Sequence, residues 1–97
     1  MADSGPFRYR PEVVGALASH GVRPTTQSPP ELVRGFVREL YKFEIRRLRD
    51  RLLAGAFPRI EYADRVQRLR ERYAVLALLP SQFLEPGPLP QPDDEQG

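Results

Sequence analysis

The chain has 97 residues, no cysteine, 11 prolines and a formal net charge of +2, which leaves room for one modest domain and excludes a disulfide scaffold or thiolate metal site. A core of this size yields only about 3–5 kcal/mol on its own, so oligomerisation or a partner is the expected remedy. The charge is uneven: residues 29–79 hold twelve Lys and Arg against seven Asp and Glu, whereas 80–97 hold four acids and no base.

Residues 1–10 show no hydrophobic period and read as a flexible arm. The start, Met1-Ala2-Asp3-Ser4-Gly5, lacks the basic residues and apolar stretch of a signal peptide. No apolar run approaches the roughly 20 residues that span a bilayer, so a cytoplasmic setting and no membrane partner are expected. Residues 11–20 predict a short helix: Pro11 suits its first turn, Glu12 favours the dipole there, and Gly21 is placed to stop it. Val13, Val14 and Leu17 form its apolar face. Val22 to Gln27 is an extended connector, because Pro24 disfavours helical backbone at Arg23.

A long helix is predicted over 29–54. Ser28-Pro29-Pro30-Glu31 fits a capping box, with two prolines where the N–H groups would lack helical partners anyway. At about 100° per residue from Leu32, the apolar residues from Leu32 to Leu52 fill an arc from 0° to about 220°. That is wider than a single neighbour needs, so two different neighbours are expected. Gly55 suits the left-handed position that ends the helix, and Pro58 blocks its continuation.

A third helix is predicted over 59–79. With Pro58 as its N-cap, Phe57 and Tyr62 have the spacing of a hydrophobic staple. Tyr62, Val66, Leu69, Tyr73 and Leu76 recur at spacings of 4, 3, 4 and 3, a coiled-coil-like seam. Pro80 ends the helix. Phe83 and Leu84 are able to dock on it, but 80–97 as a whole reads as a Pro-rich acidic tail with polyproline and disordered character.

The stretch Leu48 to Leu69, with Leu48-Arg-Asp-Arg-Leu52-Leu53, then Gly55, Phe57, Glu61-Tyr62, Arg65 and Leu69, resembles the short C-terminal helical hairpin called SHOCT. Pro58 stands where that pattern has a capping Thr, and the helices here run longer in both directions. The resemblance implies oligomerisation or partner docking and no catalysis. Leu40-Tyr41-Lys42, with Arg residues beyond it, is similar to the tripeptide of the LYR-motif adaptors, which bind mitochondrial acyl carrier protein and assist complex or iron–sulfur assembly. Those proteins usually place it near the chain start, whereas here it lies well inside the chain.

No catalytic site is evident, and neither a cofactor nor a small-molecule substrate is expected. His20 is the only histidine and sits at a helix end. No Ser lies in a Gly-x-Ser-x-Gly turn and no Gly-rich loop follows a strand. Asp93, Asp94 and Glu95 cluster in the tail without a scaffold for a metal. Glu44 is the local anomaly, a carboxylate inside the apolar arc with Arg47 and Arg51 on the same side. It reads either as an i,i+3 pair with Arg47 or as a polar node at an interface.

Fourteen of the fifteen basic residues are Arg, a bias that fits either a GC-rich genome or selection for guanidinium forks. Arg46, Arg47, Arg49 and Arg51, with Arg65, Arg68, Arg70 and Arg72, suggest a basic surface beside Tyr41 and Tyr73. Arg46, Arg49, Arg68 and Arg72 are the candidate nucleic-acid contacts. Interspersed Asp50, Asp64 and Glu71 fit a solvated salt-bridge face equally well.

The expectation is therefore an all-α fold: an antiparallel helical hairpin with a short N-terminal helix, helical over 11–79, completed as a four-helix bundle by oligomerisation. Its interface is expected to use Phe36, Leu40, Phe43, Glu44, Arg47 and Leu48 against Leu69, Tyr73 and Leu76. The partner is expected to be a second copy, or a larger protein for which this chain is a small subunit or assembly factor. Arg-rich RNA or DNA binding is the alternative.

Overall fold

The computed structural model describes residues 5–86, and these are helical with no strand among them: α1 (Pro11–Ala18), α2 (Pro30–Leu53) and α3 (Tyr62–Arg72), with 3-10 segments at Arg59–Glu61, Ala74–Ala77 and Pro80–Phe83. The fold class is all-α. Asp93, Asp94 and Glu95, and the tail from 87 onward, lie outside the described residues, as do residues 1–4.

Two glycines end the first two helices in the same way. Gly21 and Gly55 have φ of 77° and 78°, a region that costs any residue with a Cβ about 1–2 kcal/mol. After α1, Val22 N–H donates to Leu17 O and Gly21 N–H to Ala18 O; after α2, Ala56 N–H donates to Arg51 O and Gly55 N–H to Leu52 O. Both are Schellman closures, which satisfy the last carbonyls of a helix and turn the chain away.

The start of α2 departs from the expected capping box. Pro29 takes the N-cap position, with no side-chain cap. The Ser28 hydroxyl is engaged elsewhere, accepting from Thr25 N–H at 2.9 Å, and Gln27 N–H donates to Thr25 Oγ1 at 3.0 Å. The connector thus spends its hydroxyls on its own turn, while consecutive prolines leave two fewer N–H groups to cap.

The third helix is shorter than expected. Tyr73 leaves helical geometry, with φ −103° and ψ 34°, and the chain tightens into 3-10 winding. In a continuing α-helix Val75 would stand about 200° from Tyr73, on the opposite face. The tighter winding instead buries Val75 along with Leu69 and Tyr73.

One cluster forms the core: Val13 and Leu17 of α1, Val33 and Val37 of α2, Leu69, Tyr73, Val75 and Phe83. Val14 was expected to join Val13 but is 40% exposed, and Ala16 packs against the cluster in its place. No polar or charged residue among those described is fully buried. Arg34, half-buried on α2, reaches across to the segment after α3. Its Nε donates to Leu78 O at 2.8 Å and its Nη2 to Leu76 O at 2.6 Å, satisfying carbonyls that the broken helix leaves without partners.

The sequence assigned residues 1–10 to an arm and 80–97 to a tail, yet segments of both are built into the fold. Tyr9 and Leu84 form an antiparallel bridge, framed by Arg10 N–H to Phe83 O and Glu85 N–H to Arg8 O. Gly5 N–H donates to Thr26 Oγ1 and Phe7 N–H to Thr26 O; a Cβ at Gly5 would overlap that carbonyl. These backbone pairings bring in Phe83, which is fully buried and lies against the Tyr9 ring, centroids 6.4 Å apart. Phe83→Ala is expected to cost about 3–5 kcal/mol, enough to leave a core of this size largely unfolded by circular dichroism without denaturant; a variant that stays folded and loses under about 1 kcal/mol in urea would show that 80–86 lies outside the cooperative unit.

Candidate functional site

Helix α2 carries more apolar surface than one neighbour covers. Val33, Val37 and Leu48 are buried, Leu40, Tyr41 and Ile45 half-buried, and all lie at about 80–220° on the wheel. The other edge of the arc stays open. Leu32, Phe36 and Phe43, within about 40° of one another, are 71%, 56% and 51% exposed. They form a straight stripe along three turns, and Leu32 and Phe36 also border a hollow of about 420 Å³ beside Val22 and Pro24.

A cleft of about 260 Å³ opens between α2 and α3, lined by Glu44, Arg47, Leu48 and Arg51 on one side and Arg65, Arg68, Leu69 and Arg72 on the other. Its floor is the apolar pair Leu48 and Leu69, both buried. Its rim is five guanidiniums against one carboxylate. The helical repeat explains this: Arg47 and Arg51 are i,i+4, and Arg65, Arg68 and Arg72 follow at 3 and 4, so each set shares a face.

At one end of the cleft lies Phe57, buried where the chain turns from α2 toward α3. Pro58, expected to cap the third helix, instead precedes the 3-10 segment Arg59–Glu61, and Glu61 takes the N-cap of α3, while Arg65 and Arg51 lie over the Phe57 ring at 4.1 and 5.7 Å from its centroid. Arg65 also pairs with Glu61 at 2.9 Å and Arg68 with Asp64 at 3.1 Å, exposed i,i+4 pairs of small worth. Arg47 lies over Phe43, 5.9 Å from the ring centroid. Neither Arg47 nor Arg51 has a carboxylate partner among the described residues.

The other end is closed by Glu44, which does not pair with Arg47. Its Oε2 accepts from Tyr73 OH at 2.9 Å and lies 3.8 Å from Arg72 Nη1. The node therefore links the middle of α2 to the end of α3, because Tyr73 brings a donor to a carboxylate that points along the buried face. Tyr73 also stacks on His20, centroids 4.1 Å apart, and meets Tyr41 edge-on at 5.4 Å. Burial, then the hydrogen bond and charge of Glu44, push the Tyr73 phenol from 10.0 up to about 12, with Arg72 opposing.

Among the interface candidates, Leu48, Leu69 and Tyr73 are buried within this chain, Leu40, Glu44 and Leu76 are half-buried, and Phe36, Phe43 and Arg47 are exposed. Among the nucleic-acid candidates, Arg68 and Arg72 line the cleft. Arg46 and Arg49 stand at about 320° and 260° on α2, away from the cleft side at about 60–160°, so the four do not share one surface. The grouping of Arg47 and Arg51 with Arg65 was read from the sequence, whereas Arg34 as a carbonyl clamp was not. Nothing local to Arg34 signalled that role.

Among the described residues no helix is long and apolar enough to cross a membrane, and no group of three or more His, Cys, Asp or Glu is placed to hold a metal ion. No family model matches this chain, and no curated protein or solved structure matches it either.

The raised Tyr73 pKa sets a direction for pH. A folded value above the unfolded one means that the neutral phenol supports the fold fully below pH 10.0 and that this support is lost as pH rises toward about 12. Tyr9, raised by burial to about 12, contributes in the same sense. Urea denaturation at pH 8 and pH 11 is expected to show a smaller alkaline loss of stability in Tyr73→Phe than in the parent chain; equal losses would remove Tyr73 as a cause.

Proposed function

We propose that this chain is a non-catalytic protein-interaction module, in which α2 and α3 act as an antiparallel helical hairpin and the open stripe of α2 docks on the same stripe of a second copy. The observation that carries this reading is the exposure of Leu32, Phe36 and Phe43 along one edge of the apolar arc of α2, the rest of that arc being covered and the exposed Leu53 standing off it at about 300°. Together they expose roughly 300–400 Å² of apolar surface, the scale of patch that marks interaction sites.

The stripe suits a two-fold partner. A two-fold axis between Phe36 and Phe43 faces each Phe36 with the copy's Phe43, a pair of the kind that adds about 0.5–1.5 kcal/mol beyond area burial. The same axis sets each Glu39 within a helical turn of the copy's Lys42. Those two residues already pair within one chain at 3.4 Å, so the charges complement across the axis as well. This arrangement gives a four-helix bundle joined by Leu32, Phe36 and Phe43, whereas Leu48, Leu69 and Tyr73 serve the core of each copy. The likeness of residues 48–69 to the SHOCT pattern points the same way, since that family implies oligomerisation or docking.

Sedimentation equilibrium of the purified chain is expected to give twice the 11.1 kDa chain mass. Phe43→Glu is expected to return it to the monomer with its helical circular dichroism intact. A parent chain that stays monomeric across the micromolar range would sink the dimer and assign the stripe to a larger protein.

A further inference from the structure

We propose that the α2–α3 cleft is a binding site for a compact anion carrying several phosphates, of the di- or triphosphate class. Five guanidiniums, from Arg47, Arg51, Arg65, Arg68 and Arg72, converge on about 260 Å³ with one carboxylate among them. That carboxylate, Glu44, is already held by Tyr73 OH and flanked by Arg72, so its charge is partly answered and its accepting oxygen is turned to the end of the cleft.

Crowding like charges is unfavourable unless something answers them. Arg65 and Arg68 are answered by Glu61 and Asp64 along α3, but through exposed pairs that contribute little and give up their partners readily. Arg47 and Arg51 have no carboxylate among the described residues and rest on aromatic rings, Phe43 and Phe57. Such stacking holds a guanidinium plane in place while leaving its edge N–H groups free to donate. Both guanidiniums thus keep their N–H groups available to a ligand.

The ligand chemistry follows from number and shape. One carboxylate brings a single negative charge, too little for five forks; adjacent phosphates bring several charges and many acceptor oxygens, matched by guanidinium forks in bidentate pairs. Arg65 and Arg72, seven residues apart, span about 10 Å along α3, the length of a short phosphate chain rather than of one phosphate. Nucleic acid fits less well. Tyr73 is buried with Tyr41 half-buried against it, Phe57 is buried beneath two arginines, and no aromatic residue lines the cleft for bases to stack on.

Isothermal titration of the full chain with tripolyphosphate, orthophosphate and a mixed-sequence single-stranded oligonucleotide tests this at 50 and 200 mM salt. The expected result is saturable tripolyphosphate binding, at least tenfold tighter than orthophosphate and weakened by salt. Arg51→Gln and Arg47→Gln, which have no ion pair to lose, are expected to weaken it at least fivefold each, while Arg46→Gln with Arg49→Gln, on other faces of α2, leaves it unchanged. Absence of tripolyphosphate binding, equal losses in the cleft and control variants, or binding of the oligonucleotide alone would each overturn the proposal. Repeating the titration on Phe36→Glu, a stripe position that lies outside the cleft lining and under none of its arginines, keeps its outcome separate from that of the dimer.

Discussion

Tyr73 is the residue on which the arrangement of this small fold depends. Its ring is covered by His20 from beyond α1 and by Tyr41 from α2, and its hydroxyl reaches Glu44. One side chain thus joins three elements, at the point where α3 leaves helical geometry. The break and the burial are linked: Leu69, Tyr73 and Val75 cannot all face the core from one α-helix. Tightening at Tyr73 turns Val75 inward and starts the course that later delivers Phe83 to the same cluster.

That course leaves carbonyls behind, and Arg34 answers them. A guanidinium donating to Leu76 O and Leu78 O ties the start of α2 to a segment more than forty residues away, without a buried charge pair and its desolvation cost. The antiparallel bridge between Tyr9 and Leu84 then closes the same end of the molecule. A chain with no cysteine and a small core is thereby tied by hydrogen bonds between segments distant in sequence.

The distribution of burial along α2 explains where binding surfaces can exist. The main cluster, which includes Leu69, covers the first half of the helix through Val33 and Val37; further along, Leu48 is buried at the floor of the cleft and Phe57 lies beneath Arg51 and Arg65. What remains open is the edge carrying Leu32, Phe36 and Phe43, the single residue Leu53 at the helix end, and the arginine rim of the cleft. Arg47 over Phe43 stands between the two, so the proposed dimer seam and anion site share a border without sharing their floor residues.

The sequence by itself determined the helical class, the two glycine stops, the burial of Leu69 and Tyr73, and an apolar arc too wide for one neighbour, because each of these is set by local backbone preference and helical period. It allowed Phe83 to dock, but did not determine that α3 ends at Tyr73, that Glu44 turns to Tyr73 rather than to Arg47, that Arg34 clamps distant carbonyls, or that Tyr9 of the supposed arm pairs with the segment carrying Phe83. Those depend on which segments meet in three dimensions. A hydrogen bond between residues 29 or 44 positions apart leaves no periodic trace in either segment. The division of the α2 arc into a covered face and an open stripe was likewise a tertiary decision, since hydropathy marks what prefers burial and only packing decides which of it is buried.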